Sequence, residues 1–574
     1  MTARNSTLIA TAIFTLVVAY LLPFLSKPFF THGEAREALV VQAMVQQNNL
    51  VLPLRNGVAI PSKPPLFHWA AYAGAANQGN DALSEVFVRL PSAIASALAV
   101  AAFFLLFNAR QSTAGALFGV LMLFTSLDWL RTSATARVDL MFSLWTSLAT
   151  WLLFLAVEAE GNRGLARVRW FLLAGVAMGL ATLAKGPAGI ALPVAVAGLY
   201  TLISKTNKIA TLLFMAVSAL VAFYIAVPWY LNAYWQGGER FLDVHLMREN
   251  LARVVGMEDY HTGHESSPFS VVGMIASGLL PWTAFFPVVC ERLWKQRRHS
   301  AGIDPAMKFC LIWACFYLVF FAFTASKRNV YLLPSYPAYA YIFTCIVSSV
   351  VAKNNVVPIK SLRITGWICM AIAAALSLSA VLIYCLPHID YHTLLVTYNV
   401  KPREGEVVTL IASGGIALPI GVLVTASLLG IGTNHILKGH LQKAVAFIAS
   451  GQLILAYVLN FCIMDRLAET QSPKAELASL LAEVPVGSPL FQFQQDLYTV
   501  DFYANRVIKT IVEAPVSNEA QSGYVLVTER EAESARRVLP SSEIVAKSTG
   551  RILYGKDRLL LMRFAMLEGD GKES

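Results

Sequence analysis

The sequence predicts an all-α polytopic membrane domain of about thirteen transmembrane helices followed by a small α/β domain at the C-terminal end. Three observations carry that prediction. The 574-residue chain is 56% hydrophobic and only 14% charged, where a soluble protein of this size would carry about 25% charged residues. Apolar stretches of near bilayer-spanning length recur through residues 8–463. The cations that are not near functional-looking motifs cluster in alternate short loops, among them Arg110, Arg163, Arg167, Arg169, Lys205, Lys208, Arg292 and Lys295. By the positive-inside rule those loops and the N-terminus face the cytoplasm.

The spans read in order as 8–25, 92–108, 114–127, 140–157, 170–184, 187–204, 209–229, 271–290, 309–325, 331–351, 364–386, 407–431 and 444–463. Several fall short of the ~20 residues a perpendicular helix needs, so their ends are expected to run into the polar flanks. The first lacks a small-residue cleavage site and reads as a retained span. The membrane domain is expected over 1–465, with long outer loops at 26–91 and 230–269. The tail from 466 to 574 reads as a separate soluble domain. Its expected elements are a helix at Lys474–Glu483, strands at Leu490–Phe493, Val507–Val512 and Tyr524–Thr528, and helices at Asp496–Ala504 and Glu529–Leu539. A hairpin is expected from Arg551–Tyr554 and Arg558–Phe564 around Gly555-Lys556-Asp557. The net charge of +10 belongs largely to cytoplasmic anchors, and no nucleic-acid motif accompanies it. All seven cysteines (290, 310, 315, 345, 369, 385, 462) lie in or beside apolar spans, which argues for packing rather than for a disulfide framework or a thiolate metal site.

The ionisable residues that are not anchors gather on the outer side. Thr31-His32-Gly33-Glu34-Ala35-Arg36-Glu37 follows the first span and opens an amphipathic helix expected to lie along the membrane surface. Glu34 near its start is favoured by free backbone N–H groups; Glu37 reads as a solvated charge. In Pro61-Ser62-Lys63-Pro64-Pro65-Leu66-Phe67-His68-Trp69 two prolines fix the backbone beside a lysine that can pin a phosphate. Asp139, in Arg137-Val138-Asp139-Leu140, sits at the lip of a span, where an acid needs a cavity or a partner. Lys185-Gly186-Pro187 marks a tight outer turn. The second outer loop carries Arg248 and Arg253, both suited to clamping phosphate. It also carries Glu258, His261, His264 and Glu265, which have the chemistry to hold a divalent metal although their spacing matches no strong signature. Lys327-Arg328-Asn329-Val330-Tyr331 brings two cations and a tyrosine to headgroup depth on the same face.

One face therefore presents Glu34 and Asp139 with Arg36, Lys63, Lys185, Arg248, Arg253, Lys327 and Arg328. That inventory suits a substrate with an anionic head and an apolar tail, such as a polyprenyl-phosphate sugar. Cleaving its sugar–phosphate bond needs cations for the departing charge and a carboxylate for the acceptor's proton.

Gly33-Glu34-Ala35-Arg36, Lys63-Pro64-Pro65, Arg89-Leu90-Pro91-Ser92, Val138-Asp139, Lys185-Gly186-Pro187, Glu249-Asn250 with Arg253, and Lys327 through Tyr331-Leu332-Leu333-Pro334 occur here in order. On these motifs the chain resembles the bacterial relatives of protein O-mannosyltransferases, most closely the lipid A aminoarabinose transferases, over nearly its whole length. The resemblance implies the C-type glycosyltransferase fold, a bacterial inner-membrane location with a periplasmic tail, an undecaprenyl-phosphate donor and inversion at the anomeric carbon. It implies donor-phosphate contacts from Lys63, Arg253 and Tyr331, to which Arg36 and Lys327 are added, with His68, Lys185, Arg248 and Arg328 as further substrate contacts. Such enzymes begin the first outer loop with Asp-Glu; here Gly33 stands in place of the Asp. Either Glu34 has taken the catalytic role, or Asp139 carries it, or the acceptor is an anionic phosphate that needs no base. The acceptor is expected to be lipid A, with another envelope glycan or a protein as the alternative. A lipid-linked-glycan flippase remains the reading from another class, but it would need polar residues along a crossing path, and the apolar runs here are clean.

Overall fold

The computed structural model describes residues 2–75, 83–159, 164–255, 266–296, 304–352, 360–398, 400, 402–494, 497–511, 522–550, 552 and 557–565. Every expected apolar segment falls on helix. Among the described residues nine helical stretches are long and apolar enough to cross a membrane, and two bent pairs raise the number to eleven. Large apolar side chains such as Leu213, Leu220 and Phe223 on the Lys208–Leu242 helix face outward, as lipid-facing residues do. This is a multi-pass membrane protein.

Three expected spans are broken. The segment read as 114–127 ends at Thr125 and turns by 67° into Leu127–Ser133. The segment read as 271–290 stops at Gly278 and resumes after Pro281 with a 104° bend. The two breaks dock on each other: Leu127 N–H donates to Leu280 O at 3.0 Å and Trp282 Nε1–H to Thr125 Oγ1 at 3.1 Å. Backbone groups freed by the breaks are thus satisfied inside protein, as apolar surroundings demand. The third, read as 407–431, splits into Pro402–Ala412 and Ala417–Leu437 around Gly414-Gly415, with Gly415 at φ 68°.

The first outer loop folds into the His32–Gln47 helix and the Leu66–Ala75 helix. The first was expected to lie along a lipid surface. Instead Ala35, Ala38, Leu39 and Val41 are all buried, packed with Phe67, Val88 and, from the soluble domain, Phe502. The second outer loop, expected from residue 230, is helical much further: the Lys208–Leu242 helix kinks at Gly238 and continues as a π-helix over Asp243–Leu251.

The soluble domain carries a five-stranded mixed sheet in the order β2-β1-β3-β5-β4. Its strands are β1 Leu490–Phe493, β2 Lys509–Ile511, β3 Ser522–Thr528, β4 Glu543–Lys547 and β5 Leu559–Ala565. β1 runs parallel to β2 and β3, while β5 is antiparallel to β3 and β4. Of the hairpin partner expected at Arg551–Tyr554, all but residue 552 lies outside the described residues; β5 pairs on that side with β4, an exposed edge strand. The helix expected at Asp496–Ala504 spans Tyr498–Ala504 and docks on the His32–Gln47 helix through Phe502, which meets the Phe29 ring at 5.1 Å.

Candidate functional site

Glu34 lies in the first turn of the His32–Gln47 helix with both oxygens engaged. Arg89 Nε donates to Oε1 at 2.7 Å, Ala136 N–H to the same oxygen at 3.0 Å, and Thr31 Oγ1–H to Oε2 at 3.2 Å. Burial pushes its carboxyl up, but the Arg89 guanidinium and the Ala136 N–H more than reverse this and hold it below the usual range. Arg89 is fully buried, also donates to the carbonyls of Leu25 and Lys27, and lies over the Phe29 ring. This network ties the helix to the Glu85–Asn108 helix and the turn at Ala136. Glu37 is buried rather than solvated: it pairs with Arg36 at 2.8 Å and with fully buried His68 at 2.9 Å. Burial again raises and Arg36 and His68 lower its carboxyl, which ends far below the usual range.

A second group of side chains forms one continuous run. Lys63, held where Pro64-Pro65 lead into the Leu66–Ala75 helix, reaches Glu249 at 2.5 Å. Glu249 pairs with Arg253 at 2.8 Å, and Arg253 Nη1 donates to Tyr331 Oη at 3.0 Å. The Tyr331 ring lies 4.6 Å from Lys185 Nζ, which reaches Asp139 Oδ1 at 2.6 Å. Arg137 Nε closes the run, 3.6 Å from Asp139 Oδ2. Lys185 ends the Gly164–Lys185 helix and Asp139 occupies the first turn of Val138–Glu158, where a carboxylate is favoured. The turn after Lys185 needs glycine: Gly186 has φ 117°, and a Cβ there would meet Asn250 Oδ1 at 2.9 Å.

The field of these cations is visible in titration. Burial lowers the Lys63 ammonium below its usual value, opposed by Glu249 and reinforced by Arg253 and Arg36. Burial would raise the Tyr331 phenol, but Lys185, Arg253, Lys63 and Arg328 outweigh it and bring it below its usual value. Arg328 is lowered by burial and by Arg137, against the opposing pull of Tyr331 and Asp139. Cations outnumber acids across the run, so an anion is its natural occupant.

The structure thus gathers Lys63, Arg253, Tyr331, Lys185, Asp139 and Arg328. It places Glu34 and His68 in adjoining buried pairs, with Arg36 bridging to the run through the field of Glu249. Lys327 is buried but turns back to donate to Thr324 O at 2.7 Å. Arg248 stands apart in an exposed pair with Asp243 at 2.9 Å. Glu258, His261, His264 and Glu265 lie outside the described residues. Among the described residues no cluster of three metal-ligating side chains occurs. Sequence reasoning assigned no role to Glu249 or Arg89; Arg137 was weighed, with Arg131 and Arg36, as a structural partner of Asp139, and it is Arg137 that pairs with it. A charge within an apolar helix was the available signal for Arg89. Gly33 stands next to Arg137: a Cβ there would lie 3.3 Å from its Nη2.

Comparison with known proteins follows the same lines. Residues 62–232 match the family described as Dolichyl-phosphate-mannose-protein mannosyltransferase. The chain is 26% identical over 389 residues to the undecaprenyl phosphate-alpha-4-amino-4-deoxy-L-arabinose arabinosyl transferase of Enterobacter sp. (strain 638), covering 67% of this chain and 66% of that protein. It is 28% identical over 319 residues to the protein of the same name from Pseudomonas paraeruginosa, 55% of each. The chain therefore spans between about half and just under two thirds of the length of these relatives. It shares its fold with the crystal structure of ArnT from Cupriavidus metallidurans, with TM-score 0.74 at 18% identity in the apo state, covering 98% of both chains. Against the form bound to undecaprenyl phosphate the TM-score is 0.72 at 20% identity, again over 98% of both.

Proposed function

We propose that this chain is an inverting glycosyltransferase of the bacterial inner membrane that moves a sugar, an aminoarabinose-type pentose, from undecaprenyl phosphate to lipid A on the periplasmic face. The carrying observation is the unbroken run from Lys63 through Glu249, Arg253, Tyr331 and Lys185 to Asp139. It sets an anion-binding cluster beside a carboxylate. The names of the curated relatives support the donor, and the fold shared with ArnT bound to undecaprenyl phosphate supports a lipid-phosphate substrate.

In this reading Lys63, Arg253 and the Tyr331 hydroxyl hold the donor phosphate. An acceptor oxygen attacks the anomeric carbon from the opposite side. The new C–O bond forms as the sugar–phosphate bond breaks, and the electron pair leaves with undecaprenyl phosphate, whose added negative charge the cations stabilise. Asp139 takes the acceptor's proton where the acceptor arrives protonated; an already ionised lipid A phosphate brings none. Glu34, fully engaged with Arg89, acts by fixing the geometry of the first outer loop. Periplasmic placement of the run rests on the positive-inside pattern.

The test is mass spectrometry of lipid A incubated with purified full-length protein and undecaprenyl-phosphate-linked aminoarabinose. Addition of one aminopentose per modified phosphate is expected. Unmodified lipid A alongside transfer to protein or to another glycan would overturn the acceptor assignment, and binding of donor with no transfer to any acceptor would overturn the activity.

A further inference from the structure

Outside that run, a second cationic cluster lies where the soluble domain meets the first outer loop. Arg55 is buried at 8% exposure. Its Nε and Nη1 have no hydrogen-bond partner among the described residues. A buried guanidinium left in that state is costly, and the sequence does not leave it there by slack. The backbone at Arg55 is pinned by a reciprocal pair with Ala59, with both hydrogen bonds at 2.9 Å, across a turn whose Asn56 and Gly57 take left-handed conformations. The guanidinium lies 5.0 Å from the Tyr498 ring centroid. The same ring packs against His32 at 4.3 Å. Arg36 senses the Tyr498 phenol electrostatically. Two basic side chains of the first outer loop, Arg55 and His32, thus pack on one tyrosine ring of the soluble domain, with Arg36 in its field.

Tyr498 is held there firmly. Its helix is clamped at its far end by Tyr503, whose hydroxyl accepts from Phe29 N–H at 2.6 Å and donates to Glu85 at 2.9 Å. Gln42 donates to Phe502 O at 3.1 Å and to Asn505 Oδ1 at 2.8 Å, and Lys474 pairs with Glu85 at 2.8 Å. A stability cap would need these contacts; it would not need a buried arginine with two unsatisfied nitrogens.

We propose that Arg55, His32 and Tyr498 form a second anion site, next to the Lys63–Arg253 cluster with Arg36 in the field of both, that holds a phosphate monoester of the acceptor. The proposal rests on the transferase reading above and extends it. A phosphate here accepts from one of the orphaned Arg55 nitrogens in a charge-assisted contact and from the Tyr498 hydroxyl, with the His32 ring alongside. The soluble domain then helps to bind the acceptor.

The experiment uses the full-length protein with lipid A and with enzymatically dephosphorylated lipid A, in two arms: steady-state transfer and equilibrium binding. For Arg55→Gln the expected result is an acceptor KM raised about tenfold, the equivalent of a lost charge-assisted contact, with donor KM within about twofold and an unchanged melting temperature. Arg55→Lys should recover part of the loss, and Tyr498→Phe should raise acceptor KM alone. In binding, the preference of the wild type for phosphorylated over dephosphorylated lipid A should vanish in Arg55→Gln. Inorganic phosphate should compete with the phosphorylated lipid; competition without lipid selectivity would show a site for free phosphate rather than for the acceptor and would overturn the proposal. So would equal effects on donor and acceptor, or an Arg55→Gln protein indistinguishable from wild type. If the wild type transfers nothing to lipid A, the transferase reading has failed, and the binding arm still decides this site by itself.

Discussion

Lys185 Nζ stands 2.6 Å from Asp139 Oδ1, so the last residue of one transmembrane helix neutralises the first turn of its neighbour. This pair joins the cation cluster to the only carboxylate of the run that is not already shared with Arg253. Asp139→Asn keeps a hydrogen-bond acceptor for Lys185 and the shape of the site while removing the base. Turnover with an acceptor that arrives protonated is expected to fall by about 10²–10⁴, and with an acceptor phosphate already ionised to change little; donor binding should be nearly unchanged, and the melting temperature should drop because Lys185 loses its buried counter-charge. Single-turnover kinetics on the purified variant is the check, and full activity with the protonated acceptor would remove Asp139 from the chemistry.

Glu34 and Arg89 have a different signature. Their 2.7 Å pair is almost wholly buried, and removing one partner strands the other in a medium that cannot solvate it. Arg89→Ala or Glu34→Ala is therefore expected to cost about 3–5 kcal/mol, visible as loss of folded protein on size-exclusion chromatography in detergent. Activity per folded molecule should fall less than in Asp139→Asn. Normal stability in Glu34→Ala with abolished turnover would reverse the two roles.

The sequence made the architecture legible because apolar length and cation alternation are local properties. Helix lies under every expected span, and the soluble elements at Leu490–Phe493, Tyr498–Ala504 and Ser522–Thr528 fall where alternation and turn residues put them. What stayed hidden is tertiary. Glu34 read as a helix-start acid and catalytic candidate because its partner Arg89 lies 55 residues away along the chain. Glu37 looked solvated because His68 closes over it only in the fold. β4 was missed because Glu543–Lys547 is exposed along most of its length and so has no alternating apolar face to read. The breaks at Ser126 and Gly278 interrupt runs that are apolar on average, so composition alone joined them.

Glu249 sits between Lys63 and Arg253, at 2.5 Å and 2.8 Å, where a donor phosphate would be received. A carboxylate there repels the incoming anion and shares its cations. Glu249→Gln should lower the dissociation constant for undecaprenyl phosphate several-fold, since like charges in close contact are unfavourable, and should slow release of that product. Isothermal titration with undecaprenyl phosphate reads the first effect. Weaker binding would mean that Glu249 chiefly holds the two cations in place.

Lys27 offers a pH signature. Burial, and then Arg89, lower its ammonium from the usual 10.5 to about 8, against the pull of Asp465 and Glu34. Between those values the unfolded chain binds more protons than the folded one, so Lys27 makes stability rise as pH increases from about 8 toward 10.5. The melting temperature of wild type minus that of Lys27→Gln should climb across this window. A flat difference would show that Lys27 is solvated in the folded protein.

Gly33 gives the sharpest test of what the site requires. A Cβ there meets only the far end of Arg137, at 3.3 Å from Nη2, which can yield by a small rotation, so Gly33→Asp should fold. Its carboxylate would lie on the guanidinium that now reaches Asp139 at 3.6 Å. In the wild-type background this competes for Arg137 and should change turnover modestly. In the Asp139→Asn background it supplies a carboxylate on the same guanidinium, and about tenfold or more of the lost rate should return, within the range a positioned base contributes. Recovery would mean that the reaction needs an acid held by Arg137 on either element. If the double variant stays as inactive as Asp139→Asn, the pairing of Asp139 with Lys185 is what counts, and a carboxylate at residue 33 cannot stand in for it.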